Sequence, residues 1–374
     1  MFGNKNSYLG VDLGSASIKV VELANFKGRP RLMTYGFTEK SPGDIAAGGL
    51  ITDVEEAAAL LKEICAKSKT LSKKAITALP NFAVFSSILT LPAMNKKELA
   101  SAISWEAKKI IPLPLEEIVL DWKIIEEGDG LAAPAVPVAN GEKPAEVAVE
   151  NLELKKIFAK PHKNMRILLT GASKNLIRKY IDIFNKAGLS LLSLETESFA
   201  LIRSLIGNDK SVIMLIDIGA STSSIIMVDR GVPALTRSIE MGGLTLTKAV
   251  SASLNVNLER AEQFKQDLTL DGETAENSLP QTVEKSLGPI LNEIKYTLNL
   301  YQETNGKKVE KIILTGGGSL LGHLTGYLSR TLNLNTYIGD PWARTIYPTD
   351  LKPILDRLGS RFAVAVGLAM REIE

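Results

Sequence analysis

One short segment occurs twice in this sequence, and its repetition limits the folds that the chain can adopt. Residues 11–17 read Val-Asp-Leu-Gly-Ser-Ala-Ser and residues 216–222 read Ile-Asp-Ile-Gly-Ala-Ser-Thr, an alignment that needs no gap. Each copy lies between two short runs of apolar and β-branched residues, which is the pattern of two strands joined by a turn. Each copy then continues through a Gly-x-Pro turn, at residues 28–30 and 231–233, toward a further strand. Two such copies predict a duplicated α/β fold of two domains with a cleft between them.

Each repeated turn combines one carboxylate, Asp12 or Asp217, with glycine and small residues. Glycine lets the main chain approach a ligand closely, and successive N–H groups in such a turn can surround an anion. A carboxylate there would repel phosphate unless a divalent cation lay between them, so we predict Mg²⁺ held by both aspartates through water. Lys19 either reaches a phosphate or is an outward, solvated lysine. The residues predicted to donate main-chain or hydroxyl hydrogen bonds to phosphate are Gly14, Ser15, Ala16, Ser17, Gly219, Ala220, Ser221 and Thr222.

A glycine run near the C-terminus supplies a third element. It follows the apolar strand pattern of residues 311–314 and precedes a predicted helix from about Leu320. Such a run can lie flat against a base or ribose, with the helix N-terminus near phosphate. It matches neither the dinucleotide-binding fingerprint nor the P-loop pattern, so both of those classes are disfavoured. The residues predicted to contact nucleotide here are Gly316, Gly317, Gly318 and Ser319.

Composition excludes several other classes of site. The 44 Lys and Arg residues nearly balance the 42 Asp and Glu residues, which argues against nucleic acid as the main partner. Cys65 is the single cysteine and His162 and His323 are the two histidines, so a Cys- or His-based metal site is disfavoured. The sequence shows neither a signal-peptide core nor an apolar run near the roughly 18 residues of a membrane span. We therefore expect a cytoplasmic protein without direct membrane insertion.

Local signals place several helix boundaries. Asp53 precedes an apolar stripe at helical spacing, and Asn95 followed by Glu98 has the form of a capping box. Ser173 begins an amphipathic pattern that ends at Gly188. We predict that an α+β subdomain interrupts the first domain. The predicted division is a first domain of residues 1–80, 189–207 and 360–374, an inserted subdomain of 81–188 with a flexible loop at 128–151, and a second domain of 208–359 with a helical part at about 244–308.

Taken in order, these elements resemble the motifs of the actin-like ATPase superfamily. The segments at 12–17 and 217–222 resemble its two phosphate motifs, and the glycine run resembles its adenosine motif. Glu262 and Lys265 resemble a helical segment that contacts base and ribose, although an exposed pair on one helix is the alternative. Glu197 resembles the residue that orients the attacking water in hydrolysing members. The resemblance implies two duplicated ribonuclease-H-like domains around a nucleotide cleft that binds ATP and Mg²⁺.

Within that superfamily the chain is similar to the PilM family, which is related to FtsA. The stretch from Trp105 to Trp122, with its Ile-Pro-Leu-Pro-Leu-Glu-Glu core, and the placement of the insert carry this resemblance. It differs from many relatives in having Ala220 where they have glycine, and the loop at 128–151 matches no family motif. The sequence ends directly after the last predicted helix, so the FtsA-type membrane helix is expected to be absent.

The resemblance implies a cytoplasmic scaffold at the inner face of the membrane, in a type IV pilus or type II secretion-like machine. Its implied partners are the cytoplasmic tail of a PilN-like inner-membrane protein, held by the insert, together with other platform proteins, the assembly ATPase and further copies of itself. ATP turnover is expected to be slow at most. The alternatives are a small-molecule kinase of the same superfamily and an FtsA-like filament-forming protein.

Overall fold

The computed structural model describes residues 6–47, 53–111, 113–129, 163–270 and 279–373. Most of the predicted loop at 128–151 lies outside these residues. The strands are β1 (Ser7–Leu13), β2 (Ile18–Phe26), β3 (Arg29–Phe37), β4 (Lys74–Leu79), β5 (Val84–Pro92), β6 (Ile118–Asp129), β7 (Lys163–Ser173), β8 (Ser190–Thr196), β9 (Ile213–Ile218), β10 (Ser223–Asp229), β11 (Val232–Ile239), β12 (Lys311–Thr315) and β13 (Thr336–Ile338). The helices are α1 (Pro42–Ala47), α2 (Val54–Lys67), α3 (Lys96–Ile110), α4 (Lys174–Ala187), α5 (Glu197–Leu205), α6 (Gly243–Leu254), α7 (Leu258–Leu270), α8 (Gln281–Asn305), α9 (Leu324–Leu332) and α10 (Lys352–Met370).

Two five-stranded sheets in the described part of the chain have the same strand order. The first is β3-β2-β1-β4-β8 and the second is β11-β10-β9-β12-β13. In each sheet an antiparallel meander of three strands is extended by two parallel strands. Each meander has a register shift in its outer pair, between Glu22 and Leu23 and between Met227 and Val228. The duplicated fold predicted from the repeat is therefore confirmed.

The outer hairpins of the two meanders are closed by matching two-residue turns. Lys27 and Gly28 both have positive φ, and so do Arg230 and Gly231. Positive φ at both central residues is the requirement of a type I′ turn, whose twist fits that of the flanking strands. The glycines that the sequence places at these points are therefore needed by the main chain.

Helix α10 packs against the first sheet at very short range. A Cβ atom on Gly10 of β1 would collide with the main-chain carbonyl of Ala365, and one on Gly367 would collide with that of Ala200 in α5. Arg203 of α5 donates to both carboxylate oxygens of Glu195, at 2.7 and 2.9 Å, and to the Gly367 carbonyl at 2.6 Å. These contacts fix α5, α10 and the first sheet as one unit.

The N-terminus of α10 lies earlier in the chain than the sequence suggested. The predicted helix began at residue 360, whereas the observed helix begins at Lys352. Pro353 occupies its first turn, where a proline is tolerated because its missing N–H has no partner within the helix. The additional turns at its N-terminus bring Ile354 and Arg357 to the wall of a cavity that lies between the two five-stranded sheets.

A third, smaller sheet, β5-β7-β6, forms the inserted subdomain. Helix α3 covers one face of it, and the core between them includes Leu99, Ile103, Ile167 and Leu169. The helix begins at the predicted capping box, in which Asn95 accepts from the Glu98 N–H and the Glu98 side chain accepts from the Asn95 N–H. The insert thus has a small apolar core of its own.

The predicted end of the insert at residue 188 needs correction. Ser173 and Gly188 cap the two ends of helix α4, in agreement with the prediction. However, its buried face (Tyr180, Ile183 and Phe184) packs into the core of the first sheet together with residues of α2. An amphipathic pattern identifies a buried face but not the neighbour that covers it. The described part of the insert therefore ends with β7.

Two short elements, α1 and β13, were not predicted, because elements this short carry little periodicity. Cys65 is buried in the core that covers the first sheet. Within the described ranges, no helix combines the length and apolar character needed to cross a membrane.

The packing of α10 leads to a stability prediction. Gly367→Ala places a methyl group against the main chain of α5, and neither helix can move without disturbing Arg203. We expect the free energy of unfolding to fall by about 2–3 kcal/mol in urea denaturation. Gly326→Ala is the matched control, because Gly326 is also helical and a Cβ atom there would meet only the end of the Arg330 side chain, at 3.4 Å. That variant should gain about 0.5–1 kcal/mol. Unchanged stability of Gly367→Ala would contradict the close approach.

Candidate functional site

A cavity of about 1010 Å³ separates the two large sheets, and its wall contains almost every predicted site residue. One predicted residue, Ser319, is fully buried instead, and its hydroxyl donates to the Gly316 carbonyl at 2.7 Å. Ser319 therefore stabilises the glycine turn from the side that faces away from the cavity. The predicted residues on the wall are Asp12, Gly14, Ser15, Ala16, Ser17, Lys19, Glu197, Asp217, Gly219, Ala220, Ser221, Thr222, Glu262, Lys265, Gly316, Gly317 and Gly318.

The two repeated turns close in the same way. The Gly14 N–H donates to the Ser17 carbonyl at 3.0 Å, and the Gly219 N–H donates to the Thr222 carbonyl at 2.9 Å. These N–H groups are used within the turns, which differs from the predicted role of both glycines as donors to phosphate. In the described part of the chain, the N–H groups of Ser15 and Ala16, and of Ala220 and Ser221, have no such partner. The donors available to an anion are therefore the residues that follow each glycine.

The second turn is also joined to the helical part of its domain. The N–H groups of Gly243 and Leu244, at the start of α6, donate to the carbonyls of Gly219 and Ala220, both at 2.9 Å. A Cβ atom on Gly242 would collide with the Ala220 main chain. The Gly242–Gly243 pair was not predicted as part of the site, although two adjacent glycines before a helix were the available signal.

Asp12 and Lys19 form a buried ion pair on the floor of the cavity. The Lys19 Nζ donates to Asp12 Oδ2 at 2.8 Å, and each side chain is 11% exposed. The alternative of an outward, solvated Lys19 is therefore wrong. The pair places one positive charge beside the first carboxylate and facing the cavity, where it can approach an anionic group.

Asp217 faces the cavity from the opposite sheet. Burial, followed by the negative charge of Asp12, raises the pKa of Asp217 to about 6. A buried carboxylate whose ionisation is disfavoured by a second, facing carboxylate is a suitable environment for a divalent cation, which stabilises its charged form.

Glu197 stands at the N-terminus of α5 and is the third carboxylate of the cleft. Its Oε2 accepts a hydrogen bond from the Asn81 N–H at 2.9 Å. The pKa of Glu197 is raised to about 8. Burial is the largest cause, and the negative charges of Asp217 and Asp12 contribute in the same direction. A carboxylate so close to both aspartates lies where it can contact a ligand held between them.

Tyr180 was missed by sequence reasoning, which treated it as one apolar position of an amphipathic helix. Its hydroxyl is buried and has no hydrogen-bond partner among the described residues. Burial raises its pKa, and the nearby charges of Glu197 and Asp12 contribute in the same direction. Helix α4 therefore brings a polar group beneath the carboxylates, and no feature of its sequence spacing distinguished this residue.

The glycine run meets the second aspartate directly. Gly316 has φ of +80°, and a Cβ atom there would collide with the Asp217 carboxylate and the Ile218 carbonyl. Its N–H and the Thr315 hydroxyl both donate to the Ser360 carbonyl of α10, at 3.0 and 2.9 Å. Only glycine satisfies both the conformation and the space at this position.

Glu262 and Lys265 lie on α7 at the wall of the cavity rather than on an exposed face. The Lys265 Nζ donates to Glu262 Oε2 at 2.5 Å and to Thr247 Oγ1 at 2.9 Å. Thr247 in turn donates to Glu262 Oε2 at 2.5 Å. Thr247 of α6 was not predicted, since the pairing joins two helices and has no sequence periodicity. The network offers a charged and hydroxyl-bearing wall to a polar ligand.

This architecture has counterparts among solved structures. A PilM–PilN type IV pilus biogenesis complex matches with a TM-score of 0.76 and 24% identity, over 98% of both chains. The ethanolamine utilization protein EutJ of Carboxydothermus hydrogenoformans matches with a TM-score of 0.54 and 16% identity, over 97% of this chain and 89% of that one. A MamK double helical filament matches with a TM-score of 0.51 and 13% identity, over 99% of both chains. The two duplicated sheets around one cleft therefore define a protein with the actin-like fold.

The family follows from the sequence comparison. The family model described as type IV pilus assembly protein PilM matches residues 10–135 and 132–373, so the chain belongs to the PilM family. The cell division protein FtsA of Bacillus subtilis (strain 168) is 21% identical over 277 residues, which are 71% of this chain and 58% of FtsA. The chain thus spans somewhat more than half the length of that curated relative.

The raised pKa of Glu197 leads to a prediction for the ligand-free protein. A carboxyl whose pKa rises from 4.5 to about 8 on folding favours the folded state below pH 4.5, and this contribution is lost as the pH rises toward 8. Glu197→Gln carries no charge in this range. Its melting temperature, measured in EDTA, should therefore exceed that of the wild type by an amount that grows from pH 5 to pH 8.

The control for this prediction is Glu303→Gln, which neutralises an exposed carboxylate of α8. It should follow the wild type across the same pH series. A Glu197→Gln curve parallel to the wild-type curve would contradict the raised pKa.

Proposed function

We propose that this chain is an ATP-binding scaffold of the cytoplasmic side of a type IV pilus, or related type II secretion, assembly platform. The observation that carries the proposal is the pair of repeated turns, which present Asp12 and Asp217 from opposite sheets to one cavity. The membership of the PilM family supports the assignment to pilus assembly. The scaffold lies at the inner face of the membrane through its protein partners.

The cavity has the groups that a nucleotide triphosphate requires. The N–H groups after each turn glycine can donate to phosphate oxygens from both sides, and Lys19 supplies a cation near them. The glycine segment 316–318 lines the cavity without side chains and offers a surface for the nucleoside, beside the network of Glu262 and Lys265. With a volume of about 1010 Å³, the cavity has room for a nucleotide.

Mg²⁺ is the cation that suits this donor set. Asp12 and Asp217 are hard oxygen ligands on the two walls, and no group of three His, Cys, Asp or Glu side chains able to hold a metal occurs in the described ranges. Mg²⁺ commonly keeps several waters and uses one or two carboxylates with substrate phosphates. The bound ion would neutralise phosphate charge, and the two aspartates would orient its waters.

Hydrolysis, if it accompanies binding, is assigned to Glu197. Its carboxylate lines the cavity and interacts with both aspartates, so it is placed to orient a water near a bound phosphate. We expect turnover far below the typical enzyme value of about 10 per second, as suits a scaffold that senses nucleotide.

The inserted subdomain is assigned to the partner. Large apolar side chains are exposed there, with Trp105 62% exposed and Leu113 and Val119 exposed as well. Lys109 lies over the Trp105 ring at 3.1 Å from its centroid. Exposed aromatic and apolar groups of this kind mark protein interaction sites, and tryptophan is prominent among residues that dominate binding energy. The similar solved complex contains PilN, so the proposed ligand is the cytoplasmic tail of a PilN-like membrane protein.

The nucleotide assignment is tested with a conservative double variant. Asp12→Asn combined with Asp217→Asn preserves side-chain size but removes both charges that hold the cation. We expect the affinity for ATP in the presence of Mg²⁺ to fall at least 100-fold in calorimetry, about 3 kcal/mol. Asp182→Asn with Asp350→Asn is the control, because both of these aspartates are exposed and lie outside the cavity wall. Affinity within about threefold of the wild type in the cleft variant would refute the assignment.

The partner assignment is tested by removing residues 84–172. Val84 and Ala172 are paired neighbours on β5 and β7, so a short Gly-Ser linker closes the gap while α4 stays in the first core. We expect the full chain, but not the shortened chain, to recover a membrane protein with a single span and a short cytoplasmic tail from solubilised membranes. Retained ATP binding by the shortened chain shows that it is folded. Equal recovery by both chains would exclude the insert as the binding site.

A further inference from the structure

The chain leaves the first domain for the insert through a turn that touches the nucleotide cleft. Strand β4 ends at Leu79, and the turn Asn81–Ala83 follows before β5 begins. The Asn81 N–H donates to Glu197 Oε2 at 2.9 Å. Pro80 and Phe82, on either side of Asn81, both line the cavity. The first residues of the insert are therefore hydrogen-bonded to a carboxylate that faces the proposed nucleotide.

The Asn81 side chain holds the same helix that carries Glu197. Its Oδ1 accepts from the Ser198 N–H at 3.2 Å and from the Ser198 hydroxyl at 2.8 Å. The Ser198 N–H can only donate, so the orientation of the Asn81 amide follows from these bonds. Asn81 is 7% exposed, and its Nδ2 has no hydrogen-bond partner in the described part of the chain. Buried side-chain donors are normally hydrogen-bonded, so the unpaired Nδ2 group indicates that Asn81 does more than stabilise the fold.

The same turn also meets the second domain. The turn Asn81–Ala83 and strand β5 lie against β11, the outer strand of the second meander. One short segment thus contacts the cleft carboxylate, the start of α5 and the opposite domain. Any rotation of the two domains about the cleft changes the surroundings of this turn.

We propose that Asn81 is the residue that positions Glu197 and transmits occupancy of the cleft to the inserted subdomain. The proposal rests on the proposed nucleotide function of the cleft. The Glu197 oxygen that accepts from Asn81 belongs to the group that must reorient when a phosphate or its water enters the cavity. Rotation of that carboxylate lengthens the bond to Asn81, and the displacement passes directly into β5.

The test measures hydrogen exchange in β5, residues 84–92, with and without Mg²⁺ and a non-hydrolysable ATP analogue. In the wild type, we expect the analogue to change the exchange rate of these amides at least about threefold. Asn81→Ala keeps the main-chain N–H that donates to Glu197 but loses both side-chain bonds to Ser198 that hold this N–H in place. In this variant the analogue should bind with an affinity within about threefold of the wild type, while the change in β5 falls at least about twofold. A residue that only supported the fold would raise exchange in both states and leave their difference intact.

Asn95→Ala is the matched control. Asn95 also caps a helix through its side chain, within the insert, but it has no contact with Glu197. This variant should keep the response of β5 to the analogue. Ser198→Ala is a milder second variant that removes one hydroxyl bond to Asn81, and it carries the test if Asn81→Ala does not fold. We expect it to reduce the response without abolishing it.

The outcomes separate the two proposals. Failure of the wild type to bind the analogue would overturn the nucleotide function itself. Binding by both Asn81→Ala and Ser198→Ala with an undiminished response in β5 would overturn the role of Asn81 and leave the nucleotide function standing. An absent response in the wild type despite binding would likewise overturn transmission through this turn.

Discussion

The short packing distance of helix α10 is the constraint on which the two-domain arrangement depends. Gly10 and Gly367 allow its main chain to approach β1 and α5 without intervening side chains. Its Ser360 carbonyl accepts from the Gly316 N–H and the Thr315 hydroxyl of the second domain. The helix therefore touches the first sheet, α5 and the glycine run at once. Because packed interfaces of this kind shift between discrete arrangements rather than deforming continuously, a ligand held by both domains would act through this helix.

The charges of the cleft are arranged for a ligand that carries charge of its own. Lys19 compensates Asp12, but burial and the charge of Asp12 together raise the pKa of Asp217, and Glu197 is affected more strongly. A protein that needed only a stable interior would gain by replacing these carboxylates with apolar groups. Carboxylates whose ionisation is disfavoured in the free protein are common at functional sites, where a cation or substrate restores the balance. The electrostatics thus agree with the proposed ATP and Mg²⁺ site.

Sequence reasoning was most successful where the main chain leaves few choices. The repeated Asp-x-Gly turns, the glycine run and the capping box at Asn95 all depend on local conformation, so their residues could be identified without a structure. It was less successful where contacts between elements distant in sequence determine the packing. The apolar face of α4 could pack on either domain, and the pairing of Lys265 with Thr247 joins two separate helices. Gly14 and Gly219 illustrate a third case, because the turn type was predictable but the use of each N–H within the turn was not.

The turn at Asn81 connects the duplicated fold to the third sheet, which has no counterpart among the described residues of the second half. A duplicated pair of domains supplies a cleft whose closure can report a bound ligand, but closure alone does not reach a partner at a distant surface. The inserted subdomain can carry the effect of cleft closure to a partner only if the residues that join it to the first domain move when the cleft closes. In the proposed role, Asn81 would couple the two through one main-chain bond to Glu197 and two side-chain bonds to Ser198. Helix α5 is also held by Arg203, which donates to Glu195 and to the Gly367 carbonyl of α10. We therefore expect a displacement at Glu197 to pass into the insert more readily than into the core of the first sheet.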